Sequence, residues 1–325
     1  MQKFKDPKTW DLILNEQVPT FIAAEELADL ADFNPNIVAL TADVKTTNRM
    51  WEFANRHPDR FFNFGIAEQN MVTAAAGMAS CGNIPYVMTI ASFLALLCCE
   101  QIRTDCAYTN QKVRILAHHS GMSMGQYTTS HHALEDLSIM RTLANMTVVA
   151  PADANETRAV LRASIDHPGP MYIRLGRGRD PDVHPTVPAD FRIGKAMRLR
   201  EGGDLTIIAI GSEVHPSLEA AEHLASAGIS TRVVEMHTLK PLDREEVIAA
   251  AQETGAIMIV EEHNITGGLG SAVAEVLADA GIACRFRRHG VNDEYVPVGP
   301  PRALYAHYKL DAEGIVSVVN QFLDV

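Results

Sequence analysis

Short apolar runs alternate along the chain with longer stretches in which apolar residues recur every three or four positions. The runs Asn36–Leu40, Tyr86–Ile90, Val113–Leu116, Met146–Val149 and Met171–Leu175 are almost continuously apolar, the signature of strands buried on both faces. The stretches 20–33, 68–81, 94–108, 132–144 and 153–166 read as the helices between them. This alternation predicts a mostly parallel sheet covered by helices on both sides. From Gly176 to Ala189 the periodicity stops in a run rich in Pro and Gly, read as a linker or surface crossing. It restarts with strands Leu205–Ile210, Thr231–Glu235, Ile257–Glu261 and one near Cys284–Arg287. Helices are expected over 213–227, 243–253, 267–280 and 311–323. The expected fold is α/β, two doubly wound domains with mostly parallel sheets, over 1–180 and 193–325 with 181–192 as linker. No internal repeat or low-complexity segment is present.

Composition narrows the function classes. A length of 325 residues suits two ordinary domains, and 47% hydrophobic with 21% charged residues is the profile of a globular protein. No apolar run reaches the roughly 18 residues of a membrane span. Met1–Asp6 has no apolar core of a secretory signal, so the cytoplasm is the expected location. The net charge of −12 argues against nucleic acid or an anionic membrane as the main partner. Five cysteines without a C-x-x-C pair point to reduced, buried thiols.

Four segments carry candidate chemistry. In Phe62–Met71, Gly65 offers a sharp turn and Glu68 opens an Ala-rich helix. Glu68 is either a helix-start carboxylate favoured by the dipole or a carboxylate aimed at a ligand from the edge of the sheet. Leu116–Glu135 follows a strand through small residues and enters the expected helix at His131. Its histidines, His118, His119, His131 and His132, suit hydrogen bonding and proton transfer. Metal ligation fits them less well, because adjacent His-His pairs diverge and no Cys or carboxylate stands at ligand spacing. In Tyr172–Arg179, Arg174 and Arg177 adjoin a buried strand and suit recognition of an oxyanion, whereas Arg179 reads as solvated linker charge. Val260–Gly270 is a weak nucleotide fingerprint and reads as a tight turn at a domain edge.

Taken in order, these segments resemble the transketolase family over nearly the whole chain. Phe64–Met71 is similar to the family's G-I-x-E-x-x-M segment. Ile90–Phe93, Glu100–Arg103, Ser130–Asp136, Val149–Glu156 and Glu261–Gly270 follow in the family's order. The resemblance implies thiamine diphosphate chemistry. It makes Glu68 the residue that contacts the aminopyrimidine nitrogen and promotes the imino tautomer, a task that needs a carboxyl group able to share a proton in a dry pocket. It makes Phe93 the ring that stacks on the pyrimidine, with Ile66 and Leu96 as further cofactor contacts, and Leu96, Cys98 and Cys99 as a more aliphatic cage than usual. His119 and His131 are implied as catalytic, and His119, Arg177, Thr47 and Tyr127 as substrate contacts.

Departures from the family pattern are equally informative. The family's metal-holding G-D-G segment is missing, so this chain carries no expected metal ligand. The chain therefore resembles the pyrimidine-binding plus C-terminal half of a split transketolase. A partner N-terminal subunit would supply the diphosphate site and Mg2+, with two copies of each chain in a two-fold assembly. Phe21 stands where a second phosphate Arg is common, Gln126–Thr128 replaces an acidic loop, and His132 replaces a Gln. These changes predict a ketol transferase with an atypical sugar substrate, branched, deoxy, sulfonated or non-phosphorylated. The alternatives are a 1-deoxyxylulose-5-phosphate-synthase-like subunit, a 2-oxoacid dehydrogenase β-type subunit, or a non-catalytic regulatory paralogue.

Overall fold

The computed structural model describes residues 18–177 and 181–324. The N-terminal segment Met1–Asp6 and Arg179, both named above, lie outside the described residues. Twelve strands of the described residues form two sheets. The first contains β1 (Ile37–Thr41), β2 (Phe61–Asn63), β3 (Ile84–Ile90), β4 (Arg114–His118), β5 (Thr147–Val149) and β6 (Met171–Leu175), with β10 (Thr238–Lys240) at its far edge. The second contains β7 (Met197–Arg200), β8 (Leu205–Ala209), β9 (Thr231–Glu235), β11 (Ala256–Asn264) and β12 (Arg285–Val291). The orders are β10-β5-β6-β4-β3-β1-β2 and β12-β11-β8-β9-β7. Among these strands only the edge strands β10 and β7 run antiparallel to their neighbours. Both sheets are thus the mostly parallel α/β type.

Strand periodicity sorts the core. Val38 and Leu40 of β1, Val87 of β3 and Ile115 of β4 face one side, with Met71 and Ala75 of helix Glu68–Ser80. Ile37, Ala39, Tyr86, Met88 and Leu116 face the other, against Ala23, Leu27 and Ala28 of helix Pro19–Phe33 and Val160 and Leu161 of helix Ala154–Ser164. Successive side chains point to opposite faces of a strand, so almost every position is buried, as the unbroken apolar runs predict. The first of these clusters continues through Ile208, Val234, Ile257 and Ile259 of the second sheet, so the two sheets share one core.

Several expected elements differ. Instead of a single helix over 94–108 there are two wider π turns, Phe93–Leu97 and Ile102–Ala107, on either side of the short turn Cys99–Gln101. The helix expected from 132 begins only at Asp136, after a 3-10 turn at Gly125–Ser130, so His131 lies before the helix rather than at its entry. Strands β2, β7 and β10 are short edge elements whose pattern does not announce them. Of the five thiols only Cys98 and Cys106 are buried, and burial pushes both up to about 12; Cys81 is exposed.

The crossing between the sheets is held by acids. Asp153 caps helix Ala154–Ser164 by accepting from the Glu156 amide at 2.7 Å, and its other oxygen accepts from the amides of Val183 and His184 at 2.8 and 2.6 Å. Buried Glu156, His184 and Glu235 converge there, with His184 Nε2 2.9 Å from Glu235. Burial and the Glu235 carboxylate push Glu156 well above the usual carboxylate range. Burial likewise raises Glu235, to about 7. One proton therefore belongs between the two carboxyls at neutral pH. A carboxyl whose pKa rises on folding adds stability that is complete below its unfolded value and is lost as pH climbs through the folded value. Melting temperature is thus expected to fall between about pH 5 and 8. Glu156→Gln, which carries a permanent donor, should flatten that slope; a variant as steep as the parent would refute the shared proton.

Candidate functional site

The carboxyl ends of β1, β3, β4 and β6 lie side by side in the first sheet, and loops leaving such an edge form ligand sites in open α/β folds. The loop after β2 turns at Gly65, whose φ of +68° favours a residue without Cβ. Asn63 fixes this turn by accepting from the Gly65 and Asp43 amides at 3.1 and 3.0 Å. Glu68 is then the first residue of its helix and half-buried. It lines a depression of 350 Å³ together with Ile66, Ala67, Gln69, Asn70 and Leu97. Gln69 donates to the Leu97 carbonyl at 2.9 Å, joining this wall to the π turn that carries Phe93. Ile66 is 85% exposed, Leu96 51% and Leu97 54%, so a carboxylate stands among apolar side chains that the described residues leave uncovered.

A second group gathers around His131. Its ring is 5.2 Å from that of Phe93, edge-on, and 4.9 Å from that of Tyr127. Ser92 donates to the Ser130 carbonyl at 3.1 Å and ties the two turns together. Arg177 reaches Met124 Sδ at 3.2 Å and acts electrostatically on His119 and Tyr127. Burial, with the Arg177 guanidinium and the His131 ring nearby, holds His119 far below the ordinary imidazole range. His118 is lowered likewise, chiefly by burial. His119 is therefore a neutral hydrogen-bonding group, better suited to orienting a hydroxyl than to taking its proton.

His118 and His119 meet through their Nδ1 atoms. One of these must carry the proton, so between the two neutral rings one Nε2 is a donor and the other an acceptor. Both Nε2 atoms are buried without a hydrogen-bond partner among the described residues. The Thr89 hydroxyl at the end of β3 and the Asn48 amide after β1 are in the same condition. Buried polar atoms without partners are costly, and four residues of this kind at one sheet edge mark a place where a polar ligand completes the bonding.

The structure thus brings together Phe93, Tyr127, His131, His119 and Arg177, and separately Glu68, Ile66 and Leu97, with the turn 93–98 bridging the two groups. Leu96 lies within that turn. Thr47 lies exposed in the loop after β1, outside both groups. Asn48 and Thr89 are not singled out by the sequence, because nothing in an apolar pattern marks an unpaired amide or hydroxyl.

Residues 20–181 match the family model described as transketolase, pyrimidine binding domain, and residues 194–315 the one described as transketolase, C-terminal domain. The chain belongs to the transketolase family. It is 38% identical over 299 residues to a subunit of the apulose-4-phosphate transketolase of Phocaeicola vulgatus, covering 92% of this chain and 95% of that one. It is 37% identical over 300 residues to a 6-deoxy-6-sulfo-D-fructose transketolase subunit of a Clostridium species, covering 91% of each. Among solved structures, a split-gene transketolase described as an inactive beta4 tetramer superposes with a TM-score of 0.85 at 41% identity, over 95% of this chain and 99% of that one.

In this transketolase-family chain Arg174 has another use than the oxyanion recognition expected of it. Its side chain is buried, with Nε 2.9 Å from Asp136 and Nη2 donating to the carbonyls of Ala133 and Glu262 at 3.0 and 2.9 Å. Tyr172 donates to the same Asp136 oxygen at 2.9 Å. Glu262, on β11, accepts from the Met122 amide at 2.8 Å and from Ser212 at 3.2 Å. A Cβ on Gly121 would overlap the Glu262 carboxylate, so this approach requires the glycine. The 260–270 turn is therefore a contact between the two sheets that holds the histidine-bearing loop. Replacing Arg174 by Met leaves Asp136 buried without its counter-charge and is expected to cost about 3–5 kcal/mol in denaturant unfolding. A loss under about 1 kcal/mol would show that the network does not hold the loop.

Proposed function

We propose that this chain is one subunit of a split, thiamine-diphosphate-dependent transketolase that moves a two-carbon ketol unit between a ketose and an aldose of atypical structure. The observation that carries the reading is the open depression at Glu68, where one carboxylate and three apolar side chains form half of an enclosure. That composition fits the aminopyrimidine of the cofactor, a flat heterocycle with ring nitrogens. The orphaned atoms of His118, His119, Asn48 and Thr89, at the carboxyl edge of the same sheet, fit a polyhydroxylated substrate. Nothing in the sequence fits the diphosphate end: G-D-G is absent, so the diphosphate and its Mg2+ are assigned to a partner N-terminal subunit. The names of the relatives as subunits, and of the solved neighbour as a split-gene enzyme, support this division. In domain terms the reading places the pyrimidine-binding unit at 1–180 and the C-terminal unit at 193–325, with 181–192 between them, and assembly in two-fold pairs.

The cofactor, when bound, supplies the carbanion chemistry that cleaves and re-forms the carbon–carbon bond. The chain's own contributions follow from its geometry. Glu68 presents a carboxylate to a ring nitrogen from a helix start. Phe93, Ile66 and Leu96 with Leu97 provide the apolar walls that exclude water around that contact. His119 orients a substrate hydroxyl as a neutral imidazole, and His131, held between Phe93 and Tyr127, offers a second polar edge. Arg177 offers a guanidinium to an anionic group. Tyr127, half-exposed where an acidic residue is usual, replaces a charge by a hydroxyl and a ring face, which alters which sugar is held.

The test is an assay of the reconstituted complex. Two-carbon transfer from a deoxy, branched or sulfonated ketose should proceed with a larger kcat/KM than transfer from xylulose 5-phosphate to ribose 5-phosphate. Decarboxylation of pyruvate without ketol transfer would contradict the reading.

A further inference from the structure

The loop between β4 and helix Asp136–Thr142 presents Tyr127 and His131, yet much of what holds it comes from the second sheet and the helices around it. Its two arms meet where the Gly121 and Ala133 amides each donate to the other's carbonyl, at 3.2 and 2.8 Å. Beside that bridge, Met122 and Leu134 are buried in one cluster with Leu205, Met258, Val260, Val296 and Leu304. Both arms are also anchored from β11: Glu262 accepts from the Met122 amide, and the Asn264 amide donates to the Leu134 carbonyl at 2.9 Å. The tip, Gly125–Ser130, is a 3-10 turn without a side-chain cap, and its residues from Gln126 to Ser130 are exposed. Within it Thr128 has φ +60° and ψ −158°, a conformation that a β-branched residue hardly populates. The Thr128 carbonyl accepts from the amides of both His131 and His132 at 2.9 Å, so this strained residue sets where His131 stands.

A strained backbone persists only where its surroundings impose it, and here the segment from Gly299 to Tyr305 lies against the turn. The Gly299 amide donates to the Gly125 carbonyl at 3.2 Å. A Cβ on Gly125 would overlap the Gly299 carbonyl oxygen and lie 3.0 Å from Leu304 Cδ1. Pro300, with φ −59°, and Pro301 stiffen this approach, because a proline ring leaves the backbone little freedom. Leu304 is buried, and the next residue, Tyr305, donates to Glu262. Arg177, just after β6, reaches the sulfur of Met124, the residue before Gly125. The root of the turn is thus held from both sheets.

We propose that Gly299–Leu304 is a positioning element for sugar selection, which holds the Gly125–Ser130 turn so that Tyr127 and His131 meet the substrate, without touching the substrate itself. This rests on the proposed ketol transfer and specifies what governs the substrate choice of the same site. The turn includes Gln126–Thr128, where the sequence departs from the family pattern, and a half-exposed Tyr127 discriminates between sugars only if its hydroxyl is fixed in place. A turn free to shift would present ring and hydroxyl over a range of positions and treat different sugars more alike. Leu304 acts through its packing on Gly125, and Gly299 through its bond to the same residue.

The test compares sugars in the complex of this chain with its partner. Among deoxy, branched and sulfonated ketoses, the one that the parent prefers is measured against xylulose 5-phosphate. In Leu304→Ala the ratio of the two kcat/KM values should fall by about 10–100-fold, the scale of a small misplacement of a contact group. That ratio is independent of how much enzyme is folded, so lost stability alone does not move it. Ile315→Ala, in the same cluster but on helix Ala312–Leu323, should lower the melting temperature comparably and leave the ratio unchanged. Leu304→Met should restore the ratio, since it conserves volume. Gly125→Ala, which pushes the turn away from the Gly299 carbonyl without opening a cavity, should reproduce the change. On the full chain alone, hydrogen exchange at the Tyr127, His131 and His132 amides should quicken in Leu304→Ala and not in Ile315→Ala. An unchanged ratio in Leu304→Ala and Gly125→Ala, or an equal change in Ile315→Ala, would overturn the positioning role. Faster exchange confined to the turn, with no ketol transfer by the parent complex, would refute the proposed activity and leave the positioning standing.

Discussion

Glu68→Gln, assayed in the complex of this chain with its partner subunit, is expected to lower ketol transfer by about 10²–10⁴-fold, the range associated with a positioned proton-transfer group. The substitution changes one atom of a half-buried side chain at a helix start, so its structural cost is confined to the dipole interaction, about 0.3–1 kcal/mol. Melting temperature and assembly should barely move, while kcat collapses. An amide cannot serve as the negatively charged acceptor of a ring N–H, so the loss should not be recovered at any pH. A large fall in melting temperature would move the residue into a structural role. Unchanged turnover would favour a paralogue that has kept the site without its chemistry.

The second large effect concerns the surface around that carboxylate. Ile66 and Leu97 are open to solvent on the rim of the depression, with exposed Leu96 next in sequence to Leu97, and exposed apolar groups gathered at a polar site mark a contact surface. Ile66→Asp together with Leu97→Asp should leave the isolated chain folded, because neither side chain contributes to the core. The pair should abolish co-elution with the partner subunit, since a carboxylate buried at an interface without a counter-charge costs several kcal/mol. Ketol transfer should vanish in step with association. Co-elution that survives both charges would place the partner elsewhere on the chain.

The central strands and the fold class were legible because strands buried on both faces leave unbroken apolar runs that no surface element imitates. The short edge strands β2, β7 and β10 were not, since three or four half-exposed residues carry no periodicity. The stretch 94–108 misled for a sharper reason. Leu94, Cys98, Ile102 and Cys106 recur at helical spacing, and the widening at Phe93–Leu97 and Ile102–Ala107 shifts the backbone without disturbing that recurrence. Glu68, His119 and Arg177 could be picked out along the chain, because ligand sites of parallel sheets gather at the carboxyl edge; Phe93 stood out only through the resemblance to the transketolase family. Arg174 could not be distinguished from Arg177 in the same way. Both follow a buried strand pattern, and only the approach of Asp136 and Glu262 from distant segments shows that Arg174 is consumed internally. The Glu156–Glu235 pair stayed hidden for the same reason, its members lying far apart in sequence.

In the proposed enzyme the chain folds whole and contributes half of an active site. The most direct test is ketol transfer measured on the purified chain with thiamine diphosphate and Mg2+, before and after adding the partner subunit that carries the G-D-G segment. No turnover alone and turnover on mixing is the expected result. Robust turnover by the chain alone would contradict it.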